Sequence, residues 1–165
     1  MFVGRQAPDF RMPAVKDLDA PEREATLREY KGRWLVLFFY TGDFTPASAA
    51  DVRAFNAAVP ALSGCDAELL GVGSEGTAAH AAWLRHELGP LGFPLASDRT
   101  QTIAQAYGAV TDTGTVLPAV FIIDPDGTIR YEVVHDAGVS CSIDEILRVL
   151  TVLRVPALRT LLTRA

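Results

Sequence analysis

Few side chains in this sequence are equipped for covalent chemistry. There are two cysteines, Cys65 and Cys141, and three histidines, His80, His86 and His135. A thiol becomes a useful nucleophile when a helix N-terminus or a cation lowers its pKa. Cys141 precedes "SIDE" (142–145), which reads as a capping box opening a helix, so the helix start could activate it. Cys65 precedes the apolar run "AELLGVGS" and reads as a small buried hydrophobe. His80 sits in "HAAW", one turn before Trp83, and reads as a packing residue, while His86 and His135 look like surface residues. His80 and His86 are six apart, off one helix face, and the acidic pairs "DLD" and "DPD" suit a loop and a turn. Neither a metal site nor a cofactor motif is indicated.

The third candidate is a hydroxyl. In "FFYTGDFTPASAADVRAF" (38–55) an apolar strand runs into a turn and then a helix start. Such a junction can hold a nucleophile or an anion. Thr45 is the expected N-cap, Pro46 the first helical residue, and Ser48 falls in the first turn. A serine attacks only with a base beside it, and no histidine or lysine is near in sequence. No G-x-S-x-G elbow surrounds it, so hydrolysis ranks last. Ser48 either hydrogen-bonds a small polar ligand or, more simply, is a solvated first-turn residue.

These candidates must be positioned by a scaffold, which the apolar pattern outlines. "TLREYKGR" (26–33) is a helical turn ended by Gly32, and "WLVLFFY" (34–40) a strand covered on both faces. Val52, Phe55, Val59 and Leu62 recur at helical spacing, and Pro60 should kink or end that helix. A strand at 67–74, a helix at 77–88 stopped by Gly89, an extended piece at 93–98 and a helical stretch at 100–108 follow. "AVFIID" (119–124), the turn "DPDG" and "TIRYEVV" (128–134) make a hairpin of strands, the second near an edge. The last main helix is "IDEILRVLTVL", and a short helix could follow Pro156. Strands with helices on both faces give a three-layer α/β/α sandwich of thioredoxin type, spanning 1–154, with a tail at 155–165.

Composition narrows the partners. The chain has 165 residues, is 49% hydrophobic and carries a net charge of −5 with no basic run, which speaks against nucleic acid. No apolar run is long enough to span a bilayer and no secretion signal is visible, so a cytoplasmic protein with free thiols is expected.

In family order and spacing, "VGRQAPDF", "YKGRWLVLFFYTGDFT", "LLGVGSEGTAAHAAW", "PLASD", "YGAV", "FIIDPDGTIR" and "SIDEILRVL" resemble the peroxiredoxins of the alkyl hydroperoxide reductase/thiol-specific antioxidant group, of typical two-cysteine type. The resemblance covers roughly residues 3–152. It implies a thioredoxin fold and thiol-based reduction of hydroperoxides, in which a thiolate attacks one peroxide oxygen and becomes a sulfenic acid. It also implies a homodimer or higher homo-oligomer, through the last strand or the loop near the active site.

The departures fall on the chemistry. The family's active-loop proline position is Thr41, its threonine is Thr45, and its peroxidatic cysteine position is Ser48. The proline, threonine and glutamate that usually follow are Ala49, Ala50 and Asp51. The usual arginine before the "FIID" strand is Pro118, a position that thioredoxin relatives give to a cis-proline. No cysteine stands in the C-terminal segment to resolve a sulfenic acid. Several coordinated losses argue for a naturally degenerate site rather than one engineered change. The expectation is a binding, scaffolding or regulatory relative. The alternatives are a thiol peroxidase using Cys141 or Cys65, and binding of a hydroperoxide or small polar ligand at the degenerate site.

Overall fold

A computed structural model of the chain describes residues 1–17 and 22–155. Its centre is β3 (Trp34–Phe39), with all six residues buried. β4 (Ala67–Gly73) pairs with it in parallel, and β5 (Leu95–Ser97) continues in parallel beyond β4. On the other side β6 (Ala119–Ile123) and β7 (Ile129–Val134) add an antiparallel hairpin. β1 (Arg11–Val15) and β2 (Arg23–Thr26) form a second hairpin against β5, giving the order β2-β1-β5-β4-β3-β6-β7.

Alternation along β3 assigns its side chains to two layers. Trp34, Val36, Phe38 and Tyr40 pack with α1 (Pro46–Ser63), α2 (Thr77–Trp83) and α4 (Ile143–Arg154) through Phe55, Trp83 and Leu150. Phe38 stacks on Phe55 with ring centroids 4.0 Å apart. Leu35, Leu37 and Phe39 face the opposite layer, made by α3 (Thr102–Ala106), Tyr107 and the 3₁₀ turn Leu27–Tyr30. Burial of each large apolar side chain contributes about 1.5–3 kcal/mol relative to exposure, so both faces of β3 drive the same sheet. The expected three-layer α/β/α sandwich is the architecture observed.

Two glycines of β4 make room for this packing. A Cβ on Gly71 would lie 2.8 Å from the Phe38 ring, and one on Gly73 would lie 2.5 Å from the Tyr40 hydroxyl. Small residues therefore face the bulky aromatic side of β3.

The helix ends differ from expectation in three places. Pro60 lies inside α1, which runs on to Ser63. Proline perturbs the turn before it, while the turn after it stays bonded, with the Pro60 carbonyl accepting the Gly64 N–H at 3.0 Å. α2 continues into a π turn, Leu84–Leu88, closed by the Gly89 N–H donating to the Leu84 carbonyl at 2.8 Å. At α4 the Ser142 hydroxyl accepts the Glu145 N–H at 3.3 Å, but Glu145 turns to Arg148, so only half of the capping box forms. The expected helix after Pro156 falls outside the described residues.

Candidate active site

The junction of β3 and α1 is built by a few short-range bonds. Thr45 is the N-cap: its hydroxyl oxygen accepts the Ser48 N–H at 3.2 Å, and its O–H donates to the Gly42 carbonyl at 3.3 Å. Pro46 occupies the first helical turn, where its missing N–H is no loss. Phe44 has φ 59°, the left-handed region, and its ring is half exposed, 6.1 Å from the Trp83 ring.

Ser48 is not solvated. It is 2% exposed, and its hydroxyl lies 3.3 Å from that of Thr41. Helix α1 turns its first-turn side chain inward, under residues 137–140 and against Pro118. The remaining space is about 10 Å³, roughly one water. Thr41, Ser48 and Pro118, singled out from sequence, thus share one small pocket, with Thr45 behind it as the cap. The Pro118 peptide is trans, contrary to the thioredoxin-like precedent. Pro118 is held in β6's lead-in by its carbonyl, which accepts the His135 N–H at 2.8 Å.

Asp51, one helical turn after Ser48, is the charged member of the pocket. It is 9% exposed, and burial raises its carboxyl above the usual value; the Ser140 hydroxyl and the Cys141 N–H oppose the shift by donating to it. His135 also acts on this carboxylate electrostatically and lowers its pKa, so it is not the plain surface residue expected. No cation lines the pocket among the described residues.

The cysteines are placed differently. Cys141 lies beside Asp51, half buried against the α-helical layer. Its thiol is pushed up to about 12, by burial first and by the Asp51 charge second. The helix start, which the sequence offered as a possible activator of this thiol, is outweighed by these two effects. Cys65 follows the far end of α1, packed against the same layer, roughly 20 Å of helix away from Ser48. It cannot serve the pocket directly.

A second buried group supports the loop from behind. The Asp43 carboxylate accepts the Tyr40 hydroxyl at 3.0 Å and His80 Nδ1–H at 2.7 Å, with the His80 and Asp43 side chains 0% and 1% exposed. Burial, then Asp43, raises the Tyr40 hydroxyl well above its ordinary value, so it stays a donor. His80 is thus a polar anchor tying α2 to the loop, more than the packing residue read from "HAAW". The i, i+3 pair Tyr40 and Asp43 was the available signal.

Known proteins match this arrangement closely. A model of the AhpC/TSA family matches residues 3–132. A putative peroxiredoxin in the rubredoxin operon of Clostridium pasteurianum is 41% identical over 155 residues, 90% of this chain and 87% of that one. Peroxiredoxin-2 of Pongo abelii is 39% identical, over 88% of this chain and 85% of its own. The reduced 2-Cys peroxiredoxin of Plasmodium vivax superposes with a TM-score of 0.88 at 28% identity, covering 93% of this chain and 82% of that one. AhpC of Mycobacterium tuberculosis gives 0.85 at 30% identity, covering 93% of each. Fold, motif frame and comparisons agree: the chain belongs to the AhpC/TSA family, with a thioredoxin-like fold of peroxiredoxin type.

Proposed function

We propose that this family member does not reduce hydroperoxides through position 48 and instead acts as a binding, scaffolding or regulatory protein. The observation that carries this reading is the pocket itself. Among the described residues its only charged side chain is the Asp51 carboxylate, and its hydroxyl at Ser48 is buried and paired with Thr41. Peroxide reduction needs a polarisable anion stabilised by donors and cations. A serine hydroxyl beside a carboxylate offers the opposite.

A thiol peroxidase using Cys141 is the second reading, favoured by one contact: the Cys141 N–H donates to Asp51 at the edge of the pocket. The raised pKa of that thiol ranks it below the first. Cys65 ranks lower still, given its distance from the pocket.

The proposed partner is a second copy of the chain, in a homodimer or larger homo-oligomer. β7 supports this, as an edge strand with mostly half-buried residues. The proposed location is the cytoplasm; among the described residues no helix is long and apolar enough to cross a membrane. The decisive measurement is hydrogen peroxide and tert-butyl hydroperoxide consumption by the purified protein with excess dithiothreitol. The reading expects no turnover above a heat-inactivated control. Turnover that survives in Ser48→Ala but vanishes in Cys141→Ser would establish the second reading.

A further inference from the structure

Residues 137–140 roof the Ser48 pocket, and little fastens them to the body of the molecule. All of 136–140 are exposed, and the apolar member, Val139, is 48% exposed, so burial contributes little to holding them down. Their own bonds are local: the Val139 N–H donates to the Asp136 carbonyl at 2.9 Å, and the Gly138 N–H to Asp136 Oδ1 at 3.2 Å. The segment is anchored at each end, by the His135 N–H on the Pro118 carbonyl at 2.8 Å and by the Ser142 cap of α4. Between the anchors, among the described residues, it bonds to α1 through one acceptor. That acceptor is the Asp51 carboxylate, which takes the Ser140 hydroxyl and the Cys141 N–H. We propose that residues 136–140 are a lid on the Ser48 pocket, latched at Asp51, and that the charge of Asp51 sets how often the lid opens.

The closed pocket leaves about 10 Å³, room for about one water. A larger solute reaches the Ser48 and Thr41 hydroxyls only past the lid. The lid's role in ligand access rests on the binding role of this pocket; its motion does not.

Closure exchanges water for two donors at a carboxylate. Burial raises the Asp51 pKa, the Ser140 hydroxyl, the Cys141 N–H and the nearby His135 lower it, and the rise wins. The charged carboxylate is therefore better served by water than by the closed lid, and protonation removes that cost. Well below the ordinary value of 3.8, Asp51 is neutral with the lid open or closed. As pH rises from about 4 through the raised value, the closed state loses stability and opening becomes more frequent. Other charges nearby stay out of this balance. The Cys141 thiol, at about 12, is neutral over this range. Asp136 turns to the Gly138 N–H, Glu145 to Arg148 and Arg53 of α1 to Glu87, while Asp144 is exposed.

The test is native-state hydrogen exchange of ¹⁵N-labelled protein. It compares the Cys141 amide, which bonds Asp51, with the Phe55 amide in the middle of α1, each rate divided by its intrinsic rate. The expected result is that Cys141 exchanges through an opening that leaves Phe55 protected. That opening should become more frequent from about pH 4 to about pH 7 in the wild type and stay level in Asp51→Asn. At the upper pH it should be rarer in Asp51→Asn than in the wild type. Ser140→Ala, which removes one donor to a charged acceptor, should open about tenfold more often. The same spectra report that each variant is folded. Equal protection of Cys141 and Phe55, a level wild-type profile, opening no rarer in Asp51→Asn, or no change in Ser140→Ala would each overturn the proposal. Exchange does not depend on peroxide chemistry, so failure here is distinct from failure of the reading of position 48.

Discussion

Replacing Ser48 by cysteine returns sulfur to the family's nucleophile position, and the structure predicts that this alone does not restore catalysis. Two effects compete on the new thiol. The first-turn amides of α1 favour an anion by about 0.3–1 kcal/mol, and up to about 2 in buried geometry, so they lower its pKa by at most about 1.5 units. Against this, full burial raises a titratable group by up to roughly 3–5 units, and position 48 is 2% exposed. The Asp51 carboxylate in the same pocket adds to the rise, and among the described residues no cation lines the pocket to oppose it. Desolvation wins. Cys141, beside the same carboxylate, gives the scale at about 12. A thiol at that value is ionised to about one part in 10⁵ at pH 7, against about 3% for an ordinary cysteine of pKa 8.5. The assay is the pH dependence of iodoacetamide alkylation of Ser48→Cys in a Cys65→Ser, Cys141→Ser background, with peroxide consumption measured in parallel. The expected midpoint is above that of free cysteine, with no added turnover. A midpoint below 7, or peroxide turnover, would show that the helix start outweighs burial and would refute the argument.

Two further outcomes follow from the same groups. The folded state raises Asp51 above its ordinary 3.8, so the native protein binds this proton more readily than the unfolded chain. The stabilisation is present at acid pH and is lost as pH rises from about 4 through the raised value; Asp51→Asn should therefore gain stability relative to wild type over that window in urea titrations, and a constant difference would contradict it. The Cys141 thiol, at about 12, should alkylate about a thousandfold more slowly at pH 8 than a free cysteine, as measured by mass spectrometry under native conditions; reaction at the free-cysteine rate would place the thiolate in solvent.

Local signals made much of the scaffold readable. The run from Trp34 to Phe39 could only be a doubly covered strand, and Thr45-Pro46 marks a helix start by its own chemistry. The β1–β2 hairpin leaves no such signal, because β2 is the four residues "REAT", mostly exposed, and β1 contains Pro13, which is tolerated since only Ala14 and Val15 pair with β5 and Pro13 faces β2 alone. At the site, Ser48, Thr41 and Pro118 could be named by position along the chain. Their surroundings could not. The burial of Ser48 and the placing of Cys141 beside Asp51 both depend on the start of α1 meeting residues about ninety positions later, and nothing in either segment alone announces that meeting. Pro118 similarly follows β-sheet pairing in the trans form instead of its thioredoxin precedent.

Phe44 carries a consequence for motion. A side chain at φ 59° costs about 1–2 kcal/mol relative to ordinary backbone, and that energy is released whenever the turn opens. The bonds of Thr45 and the Asp43–His80 pair hold it closed. Opening of residues 41–45 is thus easier than for an unstrained turn by the same amount, or about 5- to 30-fold in population. Native-state hydrogen exchange should therefore find the amides of this turn faster than those of the fully buried β3, its immediate neighbour in sequence, and equal protection in the two would contradict the argument. The peptide step from Tyr40 to Thr41 would then divide slowly exchanging strand from quickly exchanging turn.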